Sequence, residues 1–137
     1  MTATIPDTHR SLLEAPIYVV LVTVMPNGQP QATLVWASCD GKYVYVNTAR
    51  GRQKEKNMAA RPMVTLFSMA PDDPYHWIEV RGEVVEMIEE GAVEHIDALA
   101  LAYEGHTSFF GGPEPEKRRE TMVRVICKIK PIKVNTH

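Results

Sequence analysis

The chain has 137 residues, with 15 Lys plus Arg against 17 Asp plus Glu and a formal net charge of −2. That length supports one domain, residues 1–137, with a real core and is short for two. The slightly acidic balance excludes a general polyanion-binding surface, so nucleic acid is not an expected partner.

Met1 to Arg10 contains Pro6, Asp7 and His9 and lacks the apolar stretch of a signal peptide. Nothing further on approaches the roughly 20 apolar residues needed to span a bilayer. Thr8 can cap a short helix through Glu14, whose Leu12 and Leu13 make it a lid on one end of a barrel. Ile17 to Met25 is β-branched and reads as a strand. Pro26, Asn27 and Gly28 form a turn, and a second extended run from Gln29 to Ser38 completes a hairpin. Asp40 and Gly41 turn the chain into a third strand, where Tyr43 to Val46 alternate with period two and Asn47 and Thr48 end the run.

Gly51 then allows a tight turn, and Gln53 to Arg61 is built of good helix formers until Pro62. The turn sits at a helix N-terminus, where orphan N–H groups and the helix dipole favour an anion, and Arg50, Arg52, Lys54 and Lys56 add cations. Cations there oppose the dipole, so the cluster costs some stability unless an anion arrives. The alternative is an ordinary solvated basic face.

Met63 to Met69 reads as a fourth strand, residues 70–74 as a loop, and Tyr75 to Val85 as a fifth strand. In the fifth, Ile78, Val80, Gly82 and Val84 share the core face, and Trp77, Glu79, Arg81 and Glu83 the other. From Glu89 a helix carries Val93, Ile96, Ala100 and Tyr103 at helical spacing and is expected to pack across a barrel mouth. Glycines and prolines over residues 104–115 mark a loop that holds Phe109 and Phe110 beside a pocket. In the last strand, Met122 to Ile132, Val123, Val125, Cys127 and Ile129 face the core, and Arg124, Lys128 and Lys130 face away. Six strands joined by short turns are best satisfied by a mainly β fold with a few helices: a six-stranded antiparallel barrel that leaves few exposed edges. Cys39 and Cys127 lie in strands with no metal-ligand spacing, so both are expected as buried free thiols in a reducing, cytoplasmic compartment.

No nucleophile and base pair stands out. The five histidines are scattered, and the adjacent acids Asp72, Asp73 and Glu89, Glu90 do not converge, so neither a glycosidase nor a metal site is expected. An enzyme built this way needs a cofactor.

The segment Thr48-Ala49-Arg50-Gly51-Arg52-Gln53-Lys54, the later Glu79-Val80-Arg81-Gly82-Glu83-Val84 and the hairpin Gly28-Gln29-Pro30-Gln31 resemble the flavin and deazaflavin split-barrel superfamily, over nearly the whole chain. The nearest-looking branch is the coenzyme F420-dependent oxidoreductases, relatives of pyridoxamine-phosphate oxidase. The resemblance implies that the turn and helix after the third strand hold the phosphate and lactyl tail of the cofactor. Thr48, Ala49, Arg50, Arg52, Gln53, Lys54 and Asn57 fall there, Lys54 foremost. It places the ring against Gln31, Thr33, Leu34, Val35 and Trp36, held largely by backbone. It also implies a homodimer with the site at the interface, to which Tyr75, Trp77 and Arg81 of a second copy would reach; the alternative for Trp77 is ordinary packing. Pyridoxamine-phosphate oxidases carry an Arg-rich substrate segment near a longer C-terminus that this sequence does not show, so vitamin oxidation is not expected. The implied reaction is hydride transfer between reduced deazaflavin and a small conjugated acceptor, with Phe109, Phe110 and Trp36 as candidate stacking partners or as core; no catalytic residue is assigned. FMN binding, cofactor carriage without turnover, and haem or tetrapyrrole binding are the other readings of the same fold.

Overall fold

β-branched and apolar residues alternating along extended runs build one curled antiparallel sheet in the computed structural model, which describes residues 2–137. Its strands are β1 (Val19–Val24), β2 (Pro30–Val35), β3 (Ala37–Cys39), β4 (Val44–Ala49), β5 (Met63–Ala70), β6 (Asp73–Ile88) and β7 (Arg124–Thr136). The helices are α1 (Ser11–Glu14), α2 (Gln53–Ala60) and α3 (Ala92–Glu104), with short 3-10 turns at Asp7–His9 and Glu116–Glu120. The strands lie in the order β2-β1-β5-β6-β7-β4-β3, so the two edges are consecutive in sequence and meet at Trp36. This is a split barrel.

Seven strands replace the six expected because the run from Gln29 to Ser38 breaks at Trp36. On one side Val35 pairs with Val19 of β1; on the other Ala37 pairs with Val46 of β4. The hydroxyl of Tyr103, from α3, fixes the joint: it accepts the Ala37 N–H at 3.0 Å and lies 2.8 Å from the Ile17 carbonyl, to which it donates. Trp36 stacks on the Tyr103 ring at 5.5 Å. The third strand also runs further than expected, through Asn47 and Thr48 to Ala49, because β7 supplies ladder partners as far as Arg124.

Two apolar cores result. The larger fills the barrel with Leu21, Val46, Leu66, Ile78, Val80 and Ile129, and is closed at one end by Leu12 and Leu13 of α1. Thr8 does not cap α1; Arg10 stands at its N-cap, and the Thr8 hydroxyl bonds His9 Nδ1 at 2.8 Å. The smaller core holds Ile96, Leu99, Ala100, Phe109 and Phe110, with Trp36 and Tyr103 at its edge. It forms because α3 packs on the outer face of β4 and β7, rather than across a barrel mouth, and the loop after α3 folds back over it. That arrangement reverses one sequence expectation: Arg124 is only 5% exposed and Val123 is exposed, since the face of β7 that looks solvated in the sequence is roofed at its start. In β6, Gly82 sits at a register shift where a Cβ would lie 2.7 Å from Ile129 and 2.8 Å from the Lys130 carbonyl, which admits no side chain.

Both cysteines are free; Cys127 is buried, which pushes its thiol up to about 12, and Cys39 is half-buried. Among the described residues no helix is long and apolar enough to cross a membrane, and no His, Cys, Asp and Glu cluster could hold a metal.

Candidate functional site

The turn from β4 into α2 is organised by one carboxylate. Gly51 takes φ 93°, a left-handed conformation open to glycine, and its N–H donates to Glu55 Oε1 at 2.7 Å. The other Glu55 oxygen lies 3.4 Å from Arg50 Nη1, and Arg50 Nε donates to Glu89 at 3.0 Å. Arg50 is therefore neutralised on both sides. Arg52 follows at the N-cap of α2 with no side-chain cap, and Lys54 lies in the first turn.

Beside this turn is a cleft of about 150 Å³, lined by Leu34, Val35, Trp36, Asn47, Thr48, Arg52, Lys54, Ile96, Phe109 and Arg124. Three of these are cations, and among the described residues none has a carboxylate within 4.0 Å. Burial, with Arg52 and Arg124 nearby, lowers the Lys54 ammonium below its ordinary range. Burial and then Arg52 push the Arg124 guanidinium down to about 10. Arg124 is nonetheless held: its Nε donates to Asn47 Oδ1 at 2.9 Å, Nη1 to Met122 Sδ at 3.4 Å, and its plane lies 4.7 Å from the Phe109 ring centre. A buried guanidinium with no carboxylate within 4.0 Å among the described residues is costly, and an anion in the cleft would repay that cost. The hydroxyl of Thr48, which lines the same cleft, is buried with no hydrogen-bond partner among the described residues.

A second cavity of about 330 Å³ adjoins on the far side of the turn, lined by Ala49, Arg50, Gly51, Arg52, Arg118, Thr121 and Met122. Arg52 borders both cavities.

The residues singled out in the sequence divide into three groups. Leu34, Val35, Trp36, Thr48, Arg52 and Lys54 line the cleft, and Ala49 and Arg50 the adjoining cavity. Gln31, Gln53 and Asn57 form a structural knot: Asn57 is 0% exposed, donates to the Thr23 hydroxyl at 3.0 Å and to Gln31 Oε1 at 3.4 Å, and accepts from Gln53 at 2.8 Å and Arg61 at 3.2 Å. Thr33 lies between, its hydroxyl buried without a partner. Tyr75 and Trp77 lie at the other end of the molecule, beside His137 at the far end of β7 from Arg124. Arg81 is on the same outer face, bonded to Glu79. Of the proposed aromatic platform, Phe109 and Trp36 reach the cleft, while Phe110, 1% exposed, is core. Sequence reasoning missed Asn47, Arg118 and above all Arg124. The signal that finds Arg124 is the β4 to β7 register, which sets it opposite Ala49, at the mouth of the basic turn.

The cleft's apolar wall continues outward. Leu34 is paired with Val20, and Val20 with Phe67, so these share the outer face with Val22, Thr65 and Trp77. That face is left open: Leu34 is 65% exposed, and Met63, Met69 and Tyr75 are exposed. It also holds a largely apolar groove of about 360 Å³ between Val22, Pro30, Met63 and Arg81.

The comparisons agree with this architecture. An "F420 Reductase" structure is 32% identical over 96% of this chain and 98% of its own, with a TM-score of 0.82. A conserved hypothetical protein from Mycobacterium tuberculosis is 21% identical over 98% of this chain and 85% of its own, at a TM-score of 0.69. An FMN-binding protein from Syntrophomonas wolfei subsp. wolfei is 15% identical over 95% and 84%, at 0.70; these last two show the fold alone. The curated proteins contain no match. Residues 5–137 match the family model described as pyridoxamine 5'-phosphate oxidase, which bears out the split-barrel resemblance read from the sequence. The chain belongs to the pyridoxamine 5'-phosphate oxidase family.

Proposed function

We propose that the protein is a cytoplasmic coenzyme F420-dependent oxidoreductase that passes a hydride from the reduced deazaflavin to a small conjugated acceptor and works as a homodimer. The observation that carries this is the convergence of Arg52, Lys54 and Arg124, without carboxylate partners within 4.0 Å among the described residues, on one half-enclosed cleft. The residues fit an anionic, flat cofactor: cations for the phosphate, the unpartnered Thr48 hydroxyl, and an apolar wall of Leu34, Val35 and Trp36. When bound, the deazaflavin supplies the hydride chemistry. Lys54, Arg52 and Arg124 of β7 would hold the phosphate, and the Leu34 to Trp36 backbone would orient the ring edge. Arg52, which also borders the adjoining cavity, suits further carboxylates on a long tail, while Arg118 there is paired with Glu114 at 3.4 Å. This, with the 32%-identical F420 reductase, favours F420 over FMN, whose single phosphate needs fewer cations.

The second copy is part of the reading. A cleft of about 150 Å³ is smaller than the roughly 300 to 1,000 Å³ of a typical small-molecule site. Its outer wall, Leu34, runs without a break into the open apolar face, so a second chain seated on that face would complete it and bring its own Tyr75 and Trp77 close. Such an interface must bury at least about 1,000 Å².

The test is a side-by-side titration of F420 and FMN, followed by absorbance. Tighter F420 binding is expected, with turnover of a conjugated acceptor by reduced F420. Equal or tighter FMN binding overturns the preference. A monomer in light scattering with affinity intact overturns the shared site.

A further inference from the structure

Arg124 is oriented by a chain of hydrogen bonds that begins outside the cleft. Its Nε–H donates to Asn47 Oδ1 at 2.9 Å. The Asn47 amide nitrogen lies 2.8 Å from the Ala92 carbonyl and 3.1 Å from His95 Nδ1. His95 Nε2 lies 3.0 Å from the Ser38 hydroxyl. The direction of every bond follows from one fact: a guanidinium only donates. Asn47 Oδ1 must then accept from Arg124, and its NH₂ must donate to Ala92 and to His95. His95 Nδ1 is therefore the unprotonated nitrogen, and Nε2–H points to Ser38.

We infer that His95 is a positioning residue for the anion site: its bare Nδ1 holds the Asn47 amide in the one orientation that presents an oxygen to Arg124, and so aims the guanidinium into the cleft. The inference rests on the assignment of Arg124 to the bound anion. The Ala92 carbonyl, which accepts from the same NH₂ at 2.8 Å, shares this work. The residue reaches Asn47 from α3, and the groups that face it are Asn47 of β4, Ser38 of β3 and the Arg124 cation of β7. Burial and Arg124 lower its tendency to take a proton, which keeps the required neutral form at neutral pH. On protonation Nδ1–H would confront the Asn47 NH₂, donor against donor. Breaking that contact leaves the amide held by the Ala92 carbonyl alone, and turning it over removes the acceptor from Arg124 Nε. Acid should then loosen the anion site through a group that never touches the ligand.

Two substitutions separate this from packing. In His95→Asn the side-chain oxygen can occupy the place of Nδ1, and the residue does not titrate. His95→Gln places its amide near Nε2, keeping the Ser38 contact and losing the acceptor for Asn47. The affinities of F420 and FMN are measured from about pH 8 to about pH 5, across the ordinary histidine range, for the wild type, both variants and Arg124→Gln. Beside them, nitrogen-edited NMR of the cofactor-free proteins follows the Arg124 Nε–H and the His95 ring. We expect His95→Gln to weaken binding about tenfold, one hydrogen bond's worth, and His95→Asn to stay within about threefold. The wild type should weaken relative to His95→Asn as pH falls, a comparison in which the ligand's own protonation cancels. The Arg124 Nε–H signal, slow to exchange in the wild type, should broaden in His95→Gln and on acidification, and the ring should show the Nε2–H tautomer at neutral pH. Weak binding in Arg124→Gln together with unchanged affinity and an unchanged Nε–H signal in His95→Gln overturns the positioning role alone. Unchanged affinity in Arg124→Gln overturns the anion site and this inference with it.

Discussion

Lys54→Met removes a charge while keeping most of a half-buried aliphatic stem, and its two expected effects have opposite signs. In the cofactor-free protein Lys54 stands in the first turn of α2, where the helix dipole opposes a cation, next to Arg52 and Arg124 and without a carboxylate. Removing it relieves that repulsion, so the empty protein should be as stable as the wild type or more stable by about 0.3 to 1 kcal/mol. In the proposed cofactor complex the same ammonium would make a charge-assisted hydrogen bond worth roughly 1.5 to 3 kcal/mol. Its loss should weaken binding about ten- to about a hundredfold. The lowered pKa gives a second signature. Between the folded value and the ordinary 10.5 the unfolded chain holds the extra proton, so wild-type stability rises with pH in that window, and the variant lacks this rise. The assay is a fluorescence titration of each cofactor plus chemical denaturation of the empty protein, with Lys130→Ala on β7 as control. If Lys54→Met and the control both leave affinity within about twofold, the basic turn is a solvated surface and the site as drawn is wrong.

Asn57→Leu should destabilise the protein by about 1 to 3 kcal/mol, since Gln53 Nε2 and Arg61 Nη2 lose their acceptor and Thr23 and Gln31 keep only their mutual contact of 3.5 Å; denaturation that shows no loss would deny the knot its role. Leu34→Asp, on the open outer face, should yield monomers in sedimentation while the melting point of the monomer stays near that of the wild type; a persistent dimer would move the interface elsewhere. For His95 the folded-state pKa is lowered, so the unfolded chain takes up a proton first as pH falls below the ordinary 6.5. Stability is then full above that value, declines below it, and levels off beneath the folded pKa. His95→Asn should flatten that part of the stability profile, and an unchanged slope would assign it to other groups.

Much of this architecture is legible because short-range rules suffice for it. Period two in Tyr75 to Val85 placed Ile78 and Val80 inside the barrel, where they are fully buried. Gly51 and Pro62 bracketed α2, which spans Gln53–Ala60. What could not be read is what depends on a second layer. Trp36 interrupts a run that is uniformly extended in sequence, because a tyrosine 67 positions later in the chain accepts the Ala37 N–H just past the joint and donates to the Ile17 carbonyl. Arg124 alternates with Lys128 and Lys130 in a row that is outward by period, and only the return of α3 and its following loop over the start of β7 buries the first of the three. Burial by a roof is not a property of the strand it covers.

That distinction bears on how the site achieves a net positive cleft in an acidic chain. Four cations cluster in the sequence around Gly51, and local pattern treats them alike. Glu55 does not: one of its oxygens caps Gly51 N–H and the other, with Glu89, neutralises Arg50. Lys56 is exposed. Arg52 and Lys54 remain uncompensated, and the third uncompensated cation arrives from the other end of the sequence on β7, oriented by Asn47. The turn is thus hydrogen-bonded on the side where its charge is cancelled and charged on the side that faces the cleft. On the proposed function such a site would be poised before its ligand arrives: the cost of holding three cations together would be met by folding, and returned as affinity when an anion binds. Neutralising Glu55 should therefore affect the empty turn more than the cleft. Glu55→Gln keeps an acceptor for Gly51 and frees Arg50, so a small loss of stability with cofactor affinity unchanged or improved is expected; a loss of affinity matching that of Lys54→Met would show that Arg50 and Arg52 do not divide the work in this way.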